Sequence, residues 1–197
     1  MSTPTPVPQL MTDLGIDSHF DFEKDCHILT ETLELVNPKI ILETGFFRGG
    51  SAFVWLYYSK AKLISVDPMV SVGGHEVFDG KIENVYKLQG AFPARFNFLR
   101  KDSRHIRPDL AGTIIDLFFM DGDHSTDGVI NDFRLALDLN IPYLLADDWV
   151  TQVSGVYYYM FTEQFSIVRS WDREATFQGA PIPMTLLRNN LYKAPQS

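Results

Sequence analysis

Four short apolar runs, each closed by an acidic residue, constrain this chain more than any other feature. Lys39–Leu42 (KIIL) leads into Glu43 and a glycine loop, and Leu63–Val66 (LISV) ends at Asp67-Pro68. Ile114–Met120 (IIDLFFM) ends at Asp121-Gly122-Asp123-His124, and Tyr143–Ala146 (YLLA) at Asp147-Asp148. Such runs are strands by length and by their β-branched and aromatic content. The near-continuous apolarity of the third implies burial on both faces, as in a parallel sheet.

Between these runs the apolar spacing changes to a helical one. Ile28–Val36 keeps Ile28, Leu29, Leu33, Leu35 and Val36 on roughly one face and stops at Asn37-Pro38. Ser51–Ser59 and Asp127–Leu139 are the next helices, the latter amphipathic through Val129, Ile130, Phe133, Leu135, Ala136, Leu137 and Leu139. Phe96–Leu99 is a further strand. Glu76–Gln89 is a mixed stretch behind a Gly-rich loop at Val72–His75. Phe165–Val168 and Met184–Leu187 are the last two strands, with no strong helix between them. The expectation is an α/β fold: a seven-stranded, mostly parallel sheet with helices on both faces and an antiparallel hairpin at one edge. No repeat or linker interrupts residues 1–197, which points to a single domain with a partly irregular N-terminal arm over 1–27, whose proline-bearing residues 1–10 are expected as a loose arm.

Charge and cysteine content narrow the partners. A net charge of −8 with no basic patch disfavours a phosphate backbone, so nucleic acid is not expected. Cys26 is the only cysteine, Met1–Leu10 lacks the features of a signal peptide, and no apolar run approaches bilayer length. Together these point to a cytoplasmic protein with no membrane partner.

The loop after the first strand reads Glu43-Thr44-Gly45-Phe46-Phe47-Arg48-Gly49-Gly50-Ser51. Gly45 and Gly49 suit a sharp strand-to-helix turn and the approach of a ligand to bare backbone. Asp67 follows 22 residues after Gly45 at the end of the second strand, where a carboxylate can accept both hydroxyls of a ribose. A pyrophosphate-binding loop wants G-x-G-x-x-G, but Phe47 stands at the second glycine position. A ligand with ribose and adenine but no pyrophosphate fits better. The plain alternative is a tight turn and nothing more.

The E-x-G-x-x-x-G-x-S loop, the acid ending the second strand and the D-G-D-H segment together resemble class I S-adenosylmethionine-dependent methyltransferases. The branch is the one that holds sugar O-methyltransferases and cephalosporin-hydroxylase-like proteins, and the similarity covers roughly residues 37–150. It implies a Rossmann-like sheet. It also implies that Gly45 and Gly49 pass under the methionine part of the donor, that Glu43 helps order the loop, that Thr44, Phe47, Ser51 and Asp121 join them in binding the donor, and that Asp67 holds the ribose. Asp102 and Ser103, after the third strand, fall at the adenine edge; on their own they are equally a turn cap.

Asp121, Asp147 and Asp148 close neighbouring strands and are expected near one point over the donor. Clustered carboxylates raise one another's pKa unless a cation compensates, and an all-oxygen set suits a hard ion such as Mg²⁺. The Leu144-Leu145-Ala146-Asp147-Asp148 segment is similar to the L-L-A-D-N metal segment of catechol O-methyltransferase, with Asp in place of Asn. The competing reading makes these acids helix caps. His124, three residues after Asp121, matches the general-base position of the sugar O-methyltransferase branch.

The implied reaction is methyl transfer to a small hydroxylated acceptor, a sugar or diol, with His124 and Asp121 catalytic. Acceptor contacts are expected from the N-terminal segment, Val72–Gln89, Trp149–Phe161 or a second subunit of a homo-oligomer. Tyr157, Tyr158, Tyr159 and Phe161 form a packed helix face or an acceptor roof. The competing functions are a nicotinamide-dependent oxidoreductase and a non-catalytic donor-binding protein.

Overall fold

The computed structural model describes residues 7–16, 22–69, 78–148, 158–173, 176–177, 180–181 and 183–195. Helix α1 (Val7–Asp13) and helix α2 (Phe22–Val36) precede strand β1 (Ile40–Thr44). Then come α3 (Gly50–Tyr58), β2 (Lys62–Val66), α4 (Phe78–Ala91), β3 (Phe96–Leu99), β4 (Leu117–Met120), α5 (Thr126–Asp138) and β5 (Tyr143–Ala146). The chain closes with β6 (Phe165–Trp171), a two-residue pair β7 (Thr176–Phe177) and β8 (Ala180–Pro181), and β9 (Met184–Asn189).

The main sheet has seven strands in the order β3-β2-β1-β4-β5-β9-β6. The five strands from β3 to β5 pair in parallel, whereas β9 is antiparallel to both β5 and β6. The expected mostly parallel sheet with an antiparallel pair at its edge is therefore present. The later strand of that pair is the inner one.

Alternation along the strands explains the two cores. Ile41, Leu63, Leu117, Phe119, Leu145 and Leu186 face one side, where they meet Ile28 and Leu29 of α2 and Phe53–Leu56 of α3. Leu42, Phe118, Met120, Leu144, Ala146 and Leu187 face the other and meet Val129, Phe133 and Ala136 of α5. With both faces covered, central strands must be apolar throughout, as the β4 sequence is.

Several boundaries differ from the sequence expectation for identifiable reasons. Residues 7–13 are helical rather than a loose arm, and Met11 is buried against the α2–α3 core. The mixed stretch around Glu76–Gln89 is helix α4, held by the buried Val85 and Leu88. Strand β4 begins at Leu117 rather than Ile114, because the Asp116 carboxylate accepts from the Lys39 and Ile40 N–H groups at 2.8 and 2.9 Å and fixes the strand start. The Val72–His75 loop and most of Trp149–Phe161 lie outside the described residues. No described helix is long and apolar enough to cross a membrane.

Candidate active site

In an open parallel sheet the strand order reverses once, and the crevice at that point faces the carboxyl ends of the strands. Here it opens between β1 and β4. The residue just past each strand continues the ladder. Gly45 N–H donates to Val66 O at 2.9 Å, Asp67 N–H to Leu99 O at 3.2 Å, Asp121 N–H to Thr44 O at 3.2 Å and Asp147 N–H to Met120 O at 3.0 Å. Asp67, Gly45, Asp121 and Asp147 thus form one row across four adjacent strands.

Two contacts explain the glycines of the loop. Gly45 has φ +87°, and a Cβ there would lie 1.8 Å from the Asp121 carbonyl oxygen. The crowding comes from the neighbouring backbone across the crevice. Gly49 has φ +81°, and its missing Cβ would meet the Phe46 ring at 2.6 Å. That ring is buried against Phe96 and Phe98 and anchors the loop from below.

Glu43 is fully buried under this loop. It accepts from Ser51 Oγ at 2.5 Å and from Ser65 Oγ at 2.6 Å, joining β1 to the start of α3 and to β2. Burial pushes its pKa up to about 8, against the lowering effect of the two serine hydroxyls. Thr44 turns away from the loop, and its hydroxyl donates to the buried Asp132 of α5 at 2.9 Å. Phe47 is exposed, with φ 45°, and its N–H donates to Asp67 Oδ2 at 3.0 Å. Asp67 Oδ1 accepts from Met69 N–H at 2.6 Å, so one buried carboxylate holds both the glycine loop and the turn after β2.

The Asp102-Ser103 segment is tied down locally. Asp102 caps a short 3₁₀ turn by accepting from Arg104 N–H at 2.9 Å and pairs with the Arg104 guanidinium, which holds its pKa at about 2. Ser103 Oγ accepts from Asn131 Nδ2 at 3.1 Å, and Asn131 also donates to Asp132 at 3.0 Å. Asp132 therefore links the end of β1 to this turn. Burial raises its pKa to about 6. Its place on the inner face of α5, between Val129 and Phe133, is visible in the helical spacing. An acid on an apolar stripe is the signal that marks it, although the site residues expected from sequence do not include it.

The acids past β4 and β5 do meet, and two cations sit among them. His124 Nε2 lies 3.5 Å from Asp121 Oδ1, and its Nδ1 lies 3.2 Å from Asp148 Oδ2. Hydrogen bonds to Asp121 and then Asp148 push the imidazole up to about 10, so the ring is charged at neutral pH. Arg173, two residues past β6, places Nη2 2.8 Å from both Asp147 Oδ1 and Asp148 Oδ1, and Nη1 3.5 Å from Asp25 Oδ1 on α2. Burial, reinforced by the charge of Asp121, still raises the Asp147 carboxyl well above its usual range despite Arg173. The hydrogen bond with His124 lowers that of Asp148.

Arg173 is the functional residue that sequence reasoning misses: nothing in the spacing around Trp171-Asp172-Arg173 connects it to acids 25 and 26 positions upstream. Its position bears on the expected Mg²⁺ centre. Among the described residues no three acid, histidine or cysteine side chains are arranged to hold a metal ion. Oxygens of Asp147 and Asp148 converge on a guanidinium instead, and Asp121 faces His124. The arrangement gives no support to the expected Mg²⁺ at Asp121, Asp147 and Asp148.

Residues 42–148, from within β1 to just past β5, match the sequence profile of a methyltransferase domain. The chain belongs to that family. The resemblance to class I S-adenosylmethionine-dependent methyltransferases is thereby borne out. An uncharacterized protein of Acanthamoeba polyphaga mimivirus is 33% identical over 106 residues, or 48% of this chain, which spans only 43% of that relative's length.

Solved structures share the fold at low identity. An O-methyltransferase from Bacillus cereus in complex with SAH has a TM-score of 0.64 at 16% identity, covering 93% of this chain and 89% of that one. TomG of Streptomyces achromogenes, an O-methyltransferase of tomaymycin synthesis solved with SAM, has a TM-score of 0.64 at 16% identity over 93% and 87%. The N-methyltransferase NodS from Bradyrhizobium japonicum, solved with SAH, also has a TM-score of 0.64, at 12% identity over 93% and 98%.

Proposed function

We propose that this methyltransferase moves the methyl group of S-adenosylmethionine to a hydroxyl oxygen of a small acceptor such as a sugar or diol. The observation that carries the reading is the row Asp67–Gly45–Asp121–Asp147 at the switch point of the sheet. It combines a buried carboxylate beside a glycine loop with an acid–histidine cluster on the adjoining strands. The similar structures solved with SAM or SAH point to the same donor.

In this reading Asp67 keeps acceptor capacity for the ribose beyond the Phe47 and Met69 amides it already holds. Gly45 and Gly49 expose backbone to the methionine part, with Glu43 and Ser51 fixing the loop from beneath. The turn at Asp102-Ser103, braced through Asn131 and Asp132, forms the adenine edge. When bound, the donor supplies an electrophilic methyl on a positively charged sulfur.

Because His124 starts protonated, the ring alone cannot act as base. The base is then Asp121: its carboxylate takes the proton leaving the acceptor hydroxyl, while the charged His124 ring faces that carboxylate through Nε2 and holds it in place. Asp148 holds the opposite ring nitrogen and keeps the orientation. Alignment of the acceptor oxygen supplies the larger part of the acceleration.

Calorimetry with S-adenosylhomocysteine should show binding in the micromolar range, weakened roughly 10-fold in Asp67→Ala by loss of a charged hydrogen-bond pair. A folded protein that binds neither SAM nor SAH would end the proposal. Labelled-methyl transfer to sugar, catechol and amine panels tests the oxygen acceptor. Transfer to amines alone would leave the donor assignment standing and remove the hydroxyl.

A further inference from the structure

Three carboxylates at the ends of adjacent strands need positive charge close by, and a guanidinium supplies it in a shape a metal ion does not have. Its planar fork can face two carboxylates at once. Arg173 Nη2 lies 2.8 Å from one oxygen of Asp147 and 2.8 Å from one oxygen of Asp148, and Nη1 reaches toward Asp25. The side chain is 9% exposed, so the charge is fixed rather than swinging in solvent. The other Asp148 oxygen faces His124 Nδ1 at 3.2 Å, and the opposite ring nitrogen faces Asp121 Oδ1 at 3.5 Å. A chain of contacts therefore runs from Asp25 through Arg173 and Asp148 to His124 and Asp121.

We propose that Arg173 is the resident cation of this acid cluster, that the site takes no divalent metal, and that Arg173 positions His124 by locking Asp148. The inference rests on the methyltransferase reading given above. A dication among these oxygens would stand against the Arg173 guanidinium, and the like charges would oppose its entry. Arg173 touches neither donor nor acceptor in this scheme. It acts through Asp148 as a positioning residue.

The experiment titrates Mn²⁺ into the full chain, read by the paramagnetic resonance of the free ion, with S-adenosylhomocysteine calorimetry on the same samples. The wild-type protein should show no stoichiometric Mn²⁺ site below about 1 mM. Arg173→Gln leaves the three acids with His124 alone to balance them and should bind Mn²⁺ about 10-fold tighter or more, while Arg173→Lys should stay metal-indifferent. A role confined to folding would not create metal affinity.

A wild-type site in the micromolar range that Asp148→Asn abolishes overturns the proposal. So does a folded Arg173→Gln protein that gains no Mn²⁺ affinity. If Arg173→Gln does not fold, the wild-type titration and the melting temperature of Arg173→Lys with and without Mg²⁺ decide the matter, a metal-induced rise counting against it. Loss of S-adenosylhomocysteine binding in the wild type would strike the donor reading instead, so the two failures are separable.

Discussion

Replacing Gly45 by alanine should be among the most disruptive single-methyl changes available in this protein. The added carbon would sit 1.8 Å from the Asp121 carbonyl oxygen and 2.6 Å from its carbonyl carbon. Ordinary carbon–oxygen contacts are about 3.3 Å, so the ends of β1 and β4 must part by roughly 1.5 Å. Alanine at φ +87° adds about 1–2 kcal/mol of backbone strain. Overpacking adds about 1–3 kcal/mol, and losing the Asp121 N–H to Thr44 O bond about 1 kcal/mol. The sum is about 3–6 kcal/mol, a large share of the usual stability of a domain. Urea unfolding followed by far-UV circular dichroism measures it directly, and the melting temperature should fall by on the order of 10–20 °C. A Gly45→Ala protein within about 1 kcal/mol of the parent would show that the two strand ends are not in contact and that the crevice geometry is wrong.

Gly90 makes the opposite case: it lies exposed in α4 with nothing within 4 Å of where an added methyl would stand, so Gly90→Ala should stabilise by about 0.5–1 kcal/mol in the same unfolding assay. Glu43 holds its proton in the folded state up to about pH 8 against an ordinary value of 4.5, so stability falls as pH rises between those values and the loss is complete above them. At about 1.4 kcal/mol per pH unit the ceiling is about 5 kcal/mol; Glu43→Gln should flatten that slope between pH 5 and roughly pH 9, and an unchanged slope in thermal melts would show that Glu43 is not its source. Thr44→Val removes the hydroxyl that donates to buried Asp132 and should cost about 1–3 kcal/mol, checked by denaturant unfolding at pH 7.5, above the raised Asp132 value of about 6.

Strand content was legible because the apolar runs that form β1, β2, β4 and β5 are largely buried on both faces and are interrupted inside only at Ser65 and Asp116. The end of each run was legible too, since Glu43, Asp67, Asp121 and Asp147 mark where burial gives way to the crevice. Helix α4 is hard to see in the sequence: its polar residues dilute the pattern, and only Val85 and Leu88 mark its inner face among the described side chains. Helix α1 is hidden by the run of prolines before and within it. In the site, local sequence placed His124 beside Asp121, three positions apart on one loop. It could not place Arg173, whose partners Asp25 and Asp148 lie 148 and 25 positions away and are brought to it only by the tertiary fold. A cluster of acids shows that a cation is needed; its identity is a tertiary fact.

The order in which the strands are made differs from the order in which they sit. Of the described strands β9 is the last in the sequence, yet it occupies an interior place, with β5 on one side and β6 on the other. Until it arrives β6 has no neighbour in the sheet, and the Arg173 that follows β6 by two residues has no fixed position. The charge balance of the crevice is therefore completed by residues beyond the matched region at 42–148, after that region has been synthesised. A fragment ending at residue 148 would carry every acid of the cluster and lack the Arg173 cation that pairs with Asp147 and Asp148.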